Sequence, residues 1–232
     1  MLLSVIIPTY NEKKTIKKIV KKIKNLKYIK TQIIVVDDFS TDGTREIIRS
    51  FKKNYIDKAI FHDYNQGKGA AINSAKKFIK GDIVIIQDAD LEYNPKEYKK
   101  LILPIIKKKY KVVYGSRVLR KNRYKIKTFT SIYRIFFNHI LTVLSNIINS
   151  QNLTDAHTCY KIFDVKIFKK IQLKEKRFGF CPEITTKISK MNLSIFEVPI
   201  SYNGRSYKDG KKISIFDGIR AIYCLIIYRF IN

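Results

Sequence analysis

Short, almost wholly apolar runs alternate with segments of helical periodicity along the first half of this 232-residue chain. Residues 2–7 and 33–36 are continuous apolar runs, which are typical of strands buried on both faces of a sheet. Between them, apolar residues recur at the spacing of one helix face: Ile16, Ile19, Val20 and Ile23. This alternation predicts an α/β fold, because strands separated by helices pair in parallel through crossover connections.

The alternation continues with predicted helices at 44–51 and 68–79 and predicted strands at 82–87 and 112–114. We therefore predict a Rossmann-like, mostly parallel sheet that is flanked by helices. Ligands of such folds bind just beyond the carboxyl ends of the strands. The segments in which chemistry is expected are therefore 8–12, 37–43, 88–92 and 115–117.

The second half of the chain is less regular. Its predicted elements are a helix at 129–148, a strand at 159–163, a helix at 182–191, a strand at 194–200 and an amphipathic helix at 213–230. Because the sequence contains no internal repeat and no low-complexity linker, we expect this half to extend the same domain.

A carboxylate pair, Asp88 and Asp90, directly follows the predicted strand at 82–87. Alternate residues of an extended segment project to the same side, so the two carboxylates would repel each other unless a cation lay between them. A divalent cation that bridges the pair to a diphosphate satisfies this arrangement, since hard cations prefer oxygen ligands. Glu92 could join the pair. The alternative interpretation is a solvated acidic turn.

Other polar residues in these segments suit a nucleotide. Asp37 and Asp38 end a predicted strand, where a carboxylate can accept a hydrogen bond from a base or a ribose. Asp42 is better interpreted as the cap of the next helix. Lys68, between two glycines, opens a helix whose N-terminus favours phosphate, although a simple loop is an equally good interpretation.

The net charge of +28 points to nucleic acid, anionic lipid or an anionic substrate. An AT-rich genome would also raise the lysine content without any functional demand. The aromatic residues do not alternate with basic ones as in single-strand readers, and the acidic residues cluster after strands. Nucleic acid is therefore not the expected partner, and a nucleic-acid-binding protein is a distant alternative.

No segment of the sequence is predicted to cross a membrane. Residues 135–154 lack charge but contain several polar side chains, and residues 221–228 are too short, because a span takes about 20 apolar residues. The closing helix has a broad apolar stripe with basic neighbours, which favours peripheral membrane association. The stripe is Ile213, Ile215, Phe216, Ile219, Ile222, Tyr223, Ile226 and Ile227, flanked by Lys211, Lys212, Arg220 and Arg229. The alternative is that it packs on the core.

Five ordered segments carry a resemblance to a known family: SVIIPTYNE at 4–12, VVDDFSTDGT at 35–44, NQGKGAA at 65–71, DADLEYNP at 88–95 and GSR at 115–117. Together they resemble the family 2 glycosyltransferases of the GT-A fold, within them the group of dolichyl-phosphate mannose and polyprenyl-phosphate glucose synthases. Four later segments extend the likeness over nearly the whole chain: TDAHTCYKIF at 154–163, GFCPEIT at 179–185, EVPISYNGR at 197–205 and DGKKI at 209–213.

This resemblance implies how the chain is organised. Residues 1–125 would form the half that binds the nucleotide-sugar, residues 126–212 the acceptor-binding half of the same domain, and residues 213–232 the amphipathic C-terminal helix. Asp88 and Asp90 would hold Mg²⁺ or Mn²⁺, with Glu92 assisting. The expected nucleotide-binding residues are Pro8, Tyr10, Glu12, Asp37, Asp38, Lys68 (from its place at a helix N-terminus), Asp88, Arg205 and Lys212.

The resemblance also implies an inverting transfer of a sugar from a UDP- or GDP-sugar to a polyprenyl phosphate at the cytoplasmic, inner face of the cell membrane. Arg117, with Arg134, would position the acceptor phosphate, which is already anionic and needs no strong base. The alternative, a saccharide acceptor in surface polysaccharide synthesis, would need a general base, for which Asp155 and Glu183 are the candidates. Glu183 could instead be a capping or salt-bridged residue of its helix. His157 is interpreted as a packed or solvated histidine.

Overall fold

The computed structural model describes residues 1–51, 54–119, 129–204 and 215–231. The strands within these ranges are β1 (Leu2–Thr9), β2 (Lys30–Asp37), β3 (Lys58–Phe61), β4 (Ile83–Ile86), β5 (Val112–Ser116), β6 (Lys161–Asp164) and β7 (Ile195–Pro199). The α-helices are α1 (Ile16–Lys24), α2 (Thr44–Ser50), α3 (Lys68–Ala75), α4 (Tyr98–Ile106), α5 (Phe129–Asn149), α6 (Val165–Lys170), α7 (Phe180–Lys190) and α8 (Ile215–Phe230).

The strands form one seven-stranded sheet in the order β3-β2-β1-β4-β6-β5-β7. β6 runs antiparallel to its neighbours β4 and β5, and the other neighbouring strands are parallel. The predicted mixed, mostly parallel sheet is therefore confirmed. Because β6 belongs to the second half of the chain and lies between two strands of the first, both halves share one sheet and one core.

The centre of this sheet is buried, as its apolar runs predict. All four residues of β4 are buried, and β1 and β2 are buried over most of their length. α1 packs against the sheet through the four predicted apolar positions, whereas the lysines between them are exposed. Burying each such side chain contributes about 1.5–3 kcal/mol, which fixes the strands that position the site.

Three elements lack a counterpart in the sequence prediction. β3 is an edge strand of mostly half-buried residues, so it has no continuous apolar run. α4 contains Pro104, a residue that disfavours helix interiors, and α6 is only one to two turns long. The predicted helix at 68–79 is α-helical to Ala75 and continues as the 3₁₀ turn Lys76–Phe78.

Candidate active site

The carboxyl ends of β1, β2 and β4 lie side by side at one edge of the sheet. The chain turns sharply after each of them, since Asn11, Phe39 and Leu91 have positive φ values of 52°, 66° and 66°. Left-handed backbone at non-glycine residues is costly and is concentrated at functional sites. The β1–β4 edge is defined as residues 8–12, 37–43, 67–69 and 88–92.

Asp88 and Asp90 are both partly exposed at this edge. Oδ1 of Asp88 lies 2.5 Å from Nζ of Lys68, the first residue of α3, and the two side chains are 21% and 16% exposed. Burial alone would lower the pKa of Lys68, but the ion pair with Asp88 outweighs it and raises this pKa above its usual value. The first carboxylate of the pair therefore faces a fully charged ammonium group.

Glu92 is held in a different way from the pair. Its side chain accepts a hydrogen bond of 2.8 Å from the Tyr202 hydroxyl, and its carbonyl oxygen accepts one of 3.0 Å from the backbone of Asn203. Among the described residues, no group of three or more His, Cys, Asp or Glu side chains is positioned to share a metal ion. The expectation that Glu92 assists at the metal thus gains no support from the arrangement.

Two partly exposed carboxylates still fit a magnesium or manganese ion. Such ions keep several water molecules and bind through one or two carboxylates together with substrate phosphates. Asp88 and Asp90 supply that donor set, and a diphosphate would supply the rest.

Asp37 has an oxygen without a partner. Its Oδ2 accepts hydrogen bonds from Arg45 Nε at 2.8 Å and from the backbone of Ser40 at 3.2 Å. Its Oδ1 is buried and has no hydrogen-bond partner in the part of the chain that the structure describes. A buried, unpaired carboxylate oxygen is costly, so it favours an incoming donor group. This geometry agrees with the predicted nucleotide contact.

Asp38 is committed within the protein. Its carboxylate accepts from the backbone N–H groups of Gln66 and Gly67 at 2.8 and 2.7 Å, and it lies 2.8 Å from Nδ1 of His62. Asp38 therefore positions the loop before α3, and its predicted contact with the nucleotide stays a prediction. His62, which also lies 2.9 Å from the Ser74 hydroxyl, was missed because no local motif marks it.

Pro8, Tyr10 and Glu12 lie at the same edge, on the segment that ends β1. Oε2 of Glu12 accepts a hydrogen bond of 2.7 Å from Thr15, and its backbone N–H donates to the Thr44 hydroxyl at 2.8 Å. The segment is thereby fastened to the starts of α1 and α2. Its contact with a nucleotide stays a prediction.

The start of α3 is packed tightly against the loop that precedes α7. A Cβ atom at Gly67, where φ is 95°, would lie 2.5 Å from the carbonyl oxygen of Lys176. One at Gly69 would lie 2.1 Å from that of Glu175. No side chain fits at either position, so the loop before α7 packs directly against the backbone on both sides of Lys68 and holds it in place.

A second polar cluster lies at the ends of β5 and β7. Arg117 forms a two-pronged ion pair with Asp155, with Nε and Nη2 at 2.7 and 2.8 Å from the two carboxylate oxygens. Its guanidinium also lies over the ring of Tyr202, 5.1 Å from the centroid. The β5–β7 edge is defined as Ser116, Arg117, Thr154, Asp155 and Glu197.

Glu197 holds the turn that carries Asp155. Its carboxylate accepts from the backbone N–H groups of Thr154 and Asp155 at 2.7 and 3.0 Å, and from the Thr154 hydroxyl. The same hydroxyl lies 2.6 Å from that of Ser116 on β5. The sequence motifs included these residues but gave no sign of this arrangement.

The ion pair makes Asp155 a weak base. Burial would raise its pKa, but the hydrogen-bonded pair with Arg117 outweighs burial and holds the pKa below its usual value. A general base that works near neutral pH needs a higher pKa. The geometry therefore places Asp155 as the partner that orients Arg117.

Glu183, the other candidate base, is completely buried. Its two oxygens accept from the backbone N–H groups of Lys174 and Glu175 at 2.7 and 2.9 Å, and Lys187 Nζ lies 2.6 Å from Oε1. This arrangement favours the salt-bridged role that the sequence left open, because the carboxylate is completely buried and both of its oxygens are hydrogen-bonded within the protein.

His157 and Lys161 follow Asp155 in the chain, and Lys161 begins β6. Nε2 of His157 is buried without a hydrogen-bond partner among the described residues, and burial lowers the pKa of this histidine to about 4. Lys161 is fully buried, donates a hydrogen bond of 2.8 Å to the carbonyl oxygen of Ala156 and lies 3.9 Å from the centroid of the Tyr114 ring. His157 is thus a packed, neutral residue. Lys161 lies within the segment 154–163 that carries part of the resemblance, but nothing in the sequence indicates that its charged group is buried.

The helices α5 and α8 pack against each other, and each has a row of exposed apolar residues; together these rows are called the exposed apolar surface of α5 and α8. Its members are Phe136, Phe137, Ile140, Val143 and Ile147 of α5, and Phe216, Ile219, Ile222, Tyr223, Ile226 and Phe230 of α8. Within the described ranges, no helix has the length and apolar character that crossing a membrane requires.

The predictions for Arg205, Lys212 and the side chain of Arg134 fall outside the described residues.

The model of the family described as glycosyl transferase family 2 matches residues 4–172. The chain is 30% identical over 230 residues to an uncharacterized protein of Methanocaldococcus jannaschii, covering 97% of this chain and 91% of the relative. It is also 30% identical over 246 residues to a UDP-N-acetylglucosamine–dolichyl-phosphate N-acetylglucosaminyltransferase of Methanococcus voltae, covering 98% and 96% of the two chains.

Among solved structures, the chain resembles glucosyl-3-phosphoglycerate synthase of Mycobacterium tuberculosis, crystallised with Mn²⁺ and UDP-glucose. The TM-score is 0.72 at 16% identity, over 98% of this chain and 78% of that one. At this identity the likeness concerns the fold alone.

Proposed function

Because the chain belongs to glycosyl transferase family 2, we propose that it moves a sugar from a UDP- or GDP-sugar to a polyprenyl phosphate, with inversion at the anomeric carbon. The family and the fold expected from the motifs are both confirmed. The finer assignment is supported by the relatives, since the Methanococcus voltae enzyme and a Pyrococcus furiosus relative (29% identical over 97% of this chain) are named for dolichyl or dolichol phosphate.

The donor would bind at the β1–β4 edge. Asp88 and Asp90 would hold Mg²⁺ or Mn²⁺, which stabilises the negative charge of the departing diphosphate. Asp37, with its unpaired Oδ1, would accept a hydrogen bond from the nucleoside. Lys68 stands at the start of α3, where an ammonium group and helix N–H groups both favour phosphate.

The observation that carries the choice of acceptor is the ion pair of Arg117 with Asp155. A sugar hydroxyl must lose a proton to attack, but both candidate bases, Asp155 and Glu183, are committed to partners within the protein. A phosphate monoester is already anionic and needs only to be positioned. Arg117, held in place by Asp155 and Tyr202, is suited to orient it.

The exposed apolar surface of α5 and α8 would lie on the cytoplasmic face of the cell membrane. Asn146, on the inner side of α5, exchanges two hydrogen bonds with the backbone of Leu153, next to the turn that carries Asp155. Helix α5, whose outer side is apolar, thus supports the β5–β7 edge, where the acceptor would bind. A lipid phosphate would reach Arg117 from that side.

The direct test is transfer from a panel of UDP- and GDP-sugars with Mn²⁺ or Mg²⁺, with and without a polyprenyl phosphate. We expect lipid-stimulated transfer from one donor. Asp90→Asn should lower kcat/KM by about 10²–10⁴-fold, because the metal contributes several kcal/mol at the departing diphosphate. Asp63→Asn serves as a control for the loss of one exposed charge. Transfer to a saccharide alone would support the polysaccharide alternative, and no donor binding would refute both.

A further inference from the structure

We propose that Lys68 is a built-in counter-cation: its ammonium group holds the place on Asp88 that a divalent metal ion takes when the donor binds, and then moves to the diphosphate. This inference rests on the proposed function and assigns Lys68 a role in controlling metal binding. It follows from the contacts of Lys68, the packing behind it and the charges at the edge.

Among the described residues, the ammonium group of Lys68 has two polar contacts, one of them with the first carboxylate of the pair. Nζ lies 2.5 Å from Oδ1 of Asp88 and 3.6 Å from Sγ of Cys159. A thiol is a weak acceptor, so Asp88 is the strong anionic partner. Because both charged side chains are partly exposed, a ligand can reach the pair from solvent.

The packing behind α3 keeps the backbone of Lys68 in place. The glycines on both sides press against backbone atoms of the loop before α7, which leaves no room for even a Cβ atom. Movement of the ammonium group is therefore confined to rotation of the flexible lysine side chain. Such a rotation can carry Nζ from Asp88 to a phosphate at the start of α3 without any shift of the helix.

The charges make the exchange necessary. A divalent ion on Asp88 would repel an ammonium group that remains 2.5 Å from the same oxygen. The metal alone must therefore compete with Lys68 and should bind weakly. A diphosphate offers Lys68 another anionic partner, so metal and nucleotide should each strengthen binding of the other by the same factor.

The test is titration of Mn²⁺ without nucleotide, following the electron paramagnetic resonance signal of the free ion. Lys68→Met should bind Mn²⁺ at least about tenfold more tightly than wild type, because the competing cation is gone. Lys68→Arg retains the charge and should stay close to wild type. Lys80→Met, which removes an exposed lysine before the opposite end of β4, controls for overall charge.

Repeating the titration with UDP or GDP completes the test. Nucleotide should tighten Mn²⁺ binding to wild type, and this gain should shrink in Lys68→Met. Unchanged or weaker nucleotide-free Mn²⁺ binding in Lys68→Met would overturn the inference while leaving the proposed function intact. If wild type bound no Mn²⁺ even with either nucleotide, the donor-site assignment itself would fail.

Discussion

The two edges of the sheet pair their carboxylates in opposite ways. At the β1–β4 edge, Asp88 and Asp90 stay partly exposed, and the ion-pair partner of Asp88 is a flexible lysine that can leave. At the β5–β7 edge, Asp155 is buried and clamped to a guanidinium by two hydrogen bonds. The first edge is thus suited to receive a cation, whereas at the second edge Asp155 is held in an internal ion pair that keeps an arginine oriented. The two sites differ in the partners of their carboxylates, a flexible lysine at one and a fixed arginine at the other, more than in the number of carboxylates.

Removing one partner of the Arg117–Asp155 ion pair at the β5–β7 edge should have the largest effect on stability. Arg117→Met leaves Asp155 buried without its partner, which should lower the free energy of unfolding by about 3–5 kcal/mol in urea denaturation. The double variant Arg117→Met/Asp155→Asn should recover part of this loss, since no unpaired charge remains.

A matched control is the solvent-accessible pair of exposed Lys111 and partly exposed Asp164, whose charged atoms are 3.8 Å apart. Lys111→Met should cost less than about 1 kcal/mol, as exposed ion pairs usually do. Equal losses for Arg117→Met and Lys111→Met would mean that the Arg117–Asp155 pair stabilises the fold no more than a solvent-accessible ion pair does.

The pH dependence of stability should show that His157, two residues after Asp155 of the β5–β7 edge, stays unprotonated in the folded chain. Burial lowers the pKa of His157 to about 4, whereas an unfolded histidine titrates near 6.5. Between these values the unfolded chain binds a proton that the folded chain does not, so stability should fall as the pH drops from about 6.5 to about 4, by at most ~3 kcal/mol.

His157→Asn should flatten this slope in urea denaturation, whereas His139→Asn, at an exposed position, should preserve it. The lowered pKa of Asp155 acts in a separate window: its stabilisation is present above the unfolded Asp value of about 3.9 and is lost as the pH falls through the folded value. An unchanged slope in His157→Asn would place the proton-linked group elsewhere.

The smallest expected effect concerns the surface next to the β5–β7 edge. Ile219→Glu on α8 and Phe137→Glu on α5 should each weaken cosedimentation with anionic phospholipid vesicles by about tenfold, since each removes apolar area and adds a repelled charge. Leu103→Glu on α4 is the control, because it alters an exposed apolar residue outside that surface. If all three variants bound the vesicles equally, the exposed apolar surface of α5 and α8 would not be the lipid-binding surface, and the β5–β7 edge would not face the lipid.

The fold could be predicted wherever local sequence determined it. The apolar runs of β1, β2 and β4 and the four-residue stripe of α1 are local signals, and all are confirmed. The position of β6 between β4 and β5, by contrast, results from packing of distant segments. β3 and α4 were missed because edge strands and proline-containing helices lack the patterns on which such predictions depend.

The site divides in the same way. Asp88 and Asp90 are two residues apart in the sequence, so their proximity could be predicted, as could their exposure after a buried strand. The pairing of Arg117 with Asp155 joins residues 38 positions apart, and the burial of Glu183 depends on a loop from outside its helix. Long-range contacts of this kind decide whether a carboxylate is available, and no local motif records them.

The C-terminal helix also has a consequence for handling the protein. Glu175 accepts hydrogen bonds from Arg220 and Tyr228 of α8, while its own carbonyl oxygen lies against Gly69 at the start of α3. Glu175 therefore joins the C-terminal helix to the loop that packs behind α3, next to the proposed donor site. Deleting the C-terminal helix to improve the sample would leave the buried Glu175 carboxylate without these partners. The loop that packs behind α3 would then be destabilised. The C-terminal helix therefore supports the fold, in addition to the lipid contact that we propose for it.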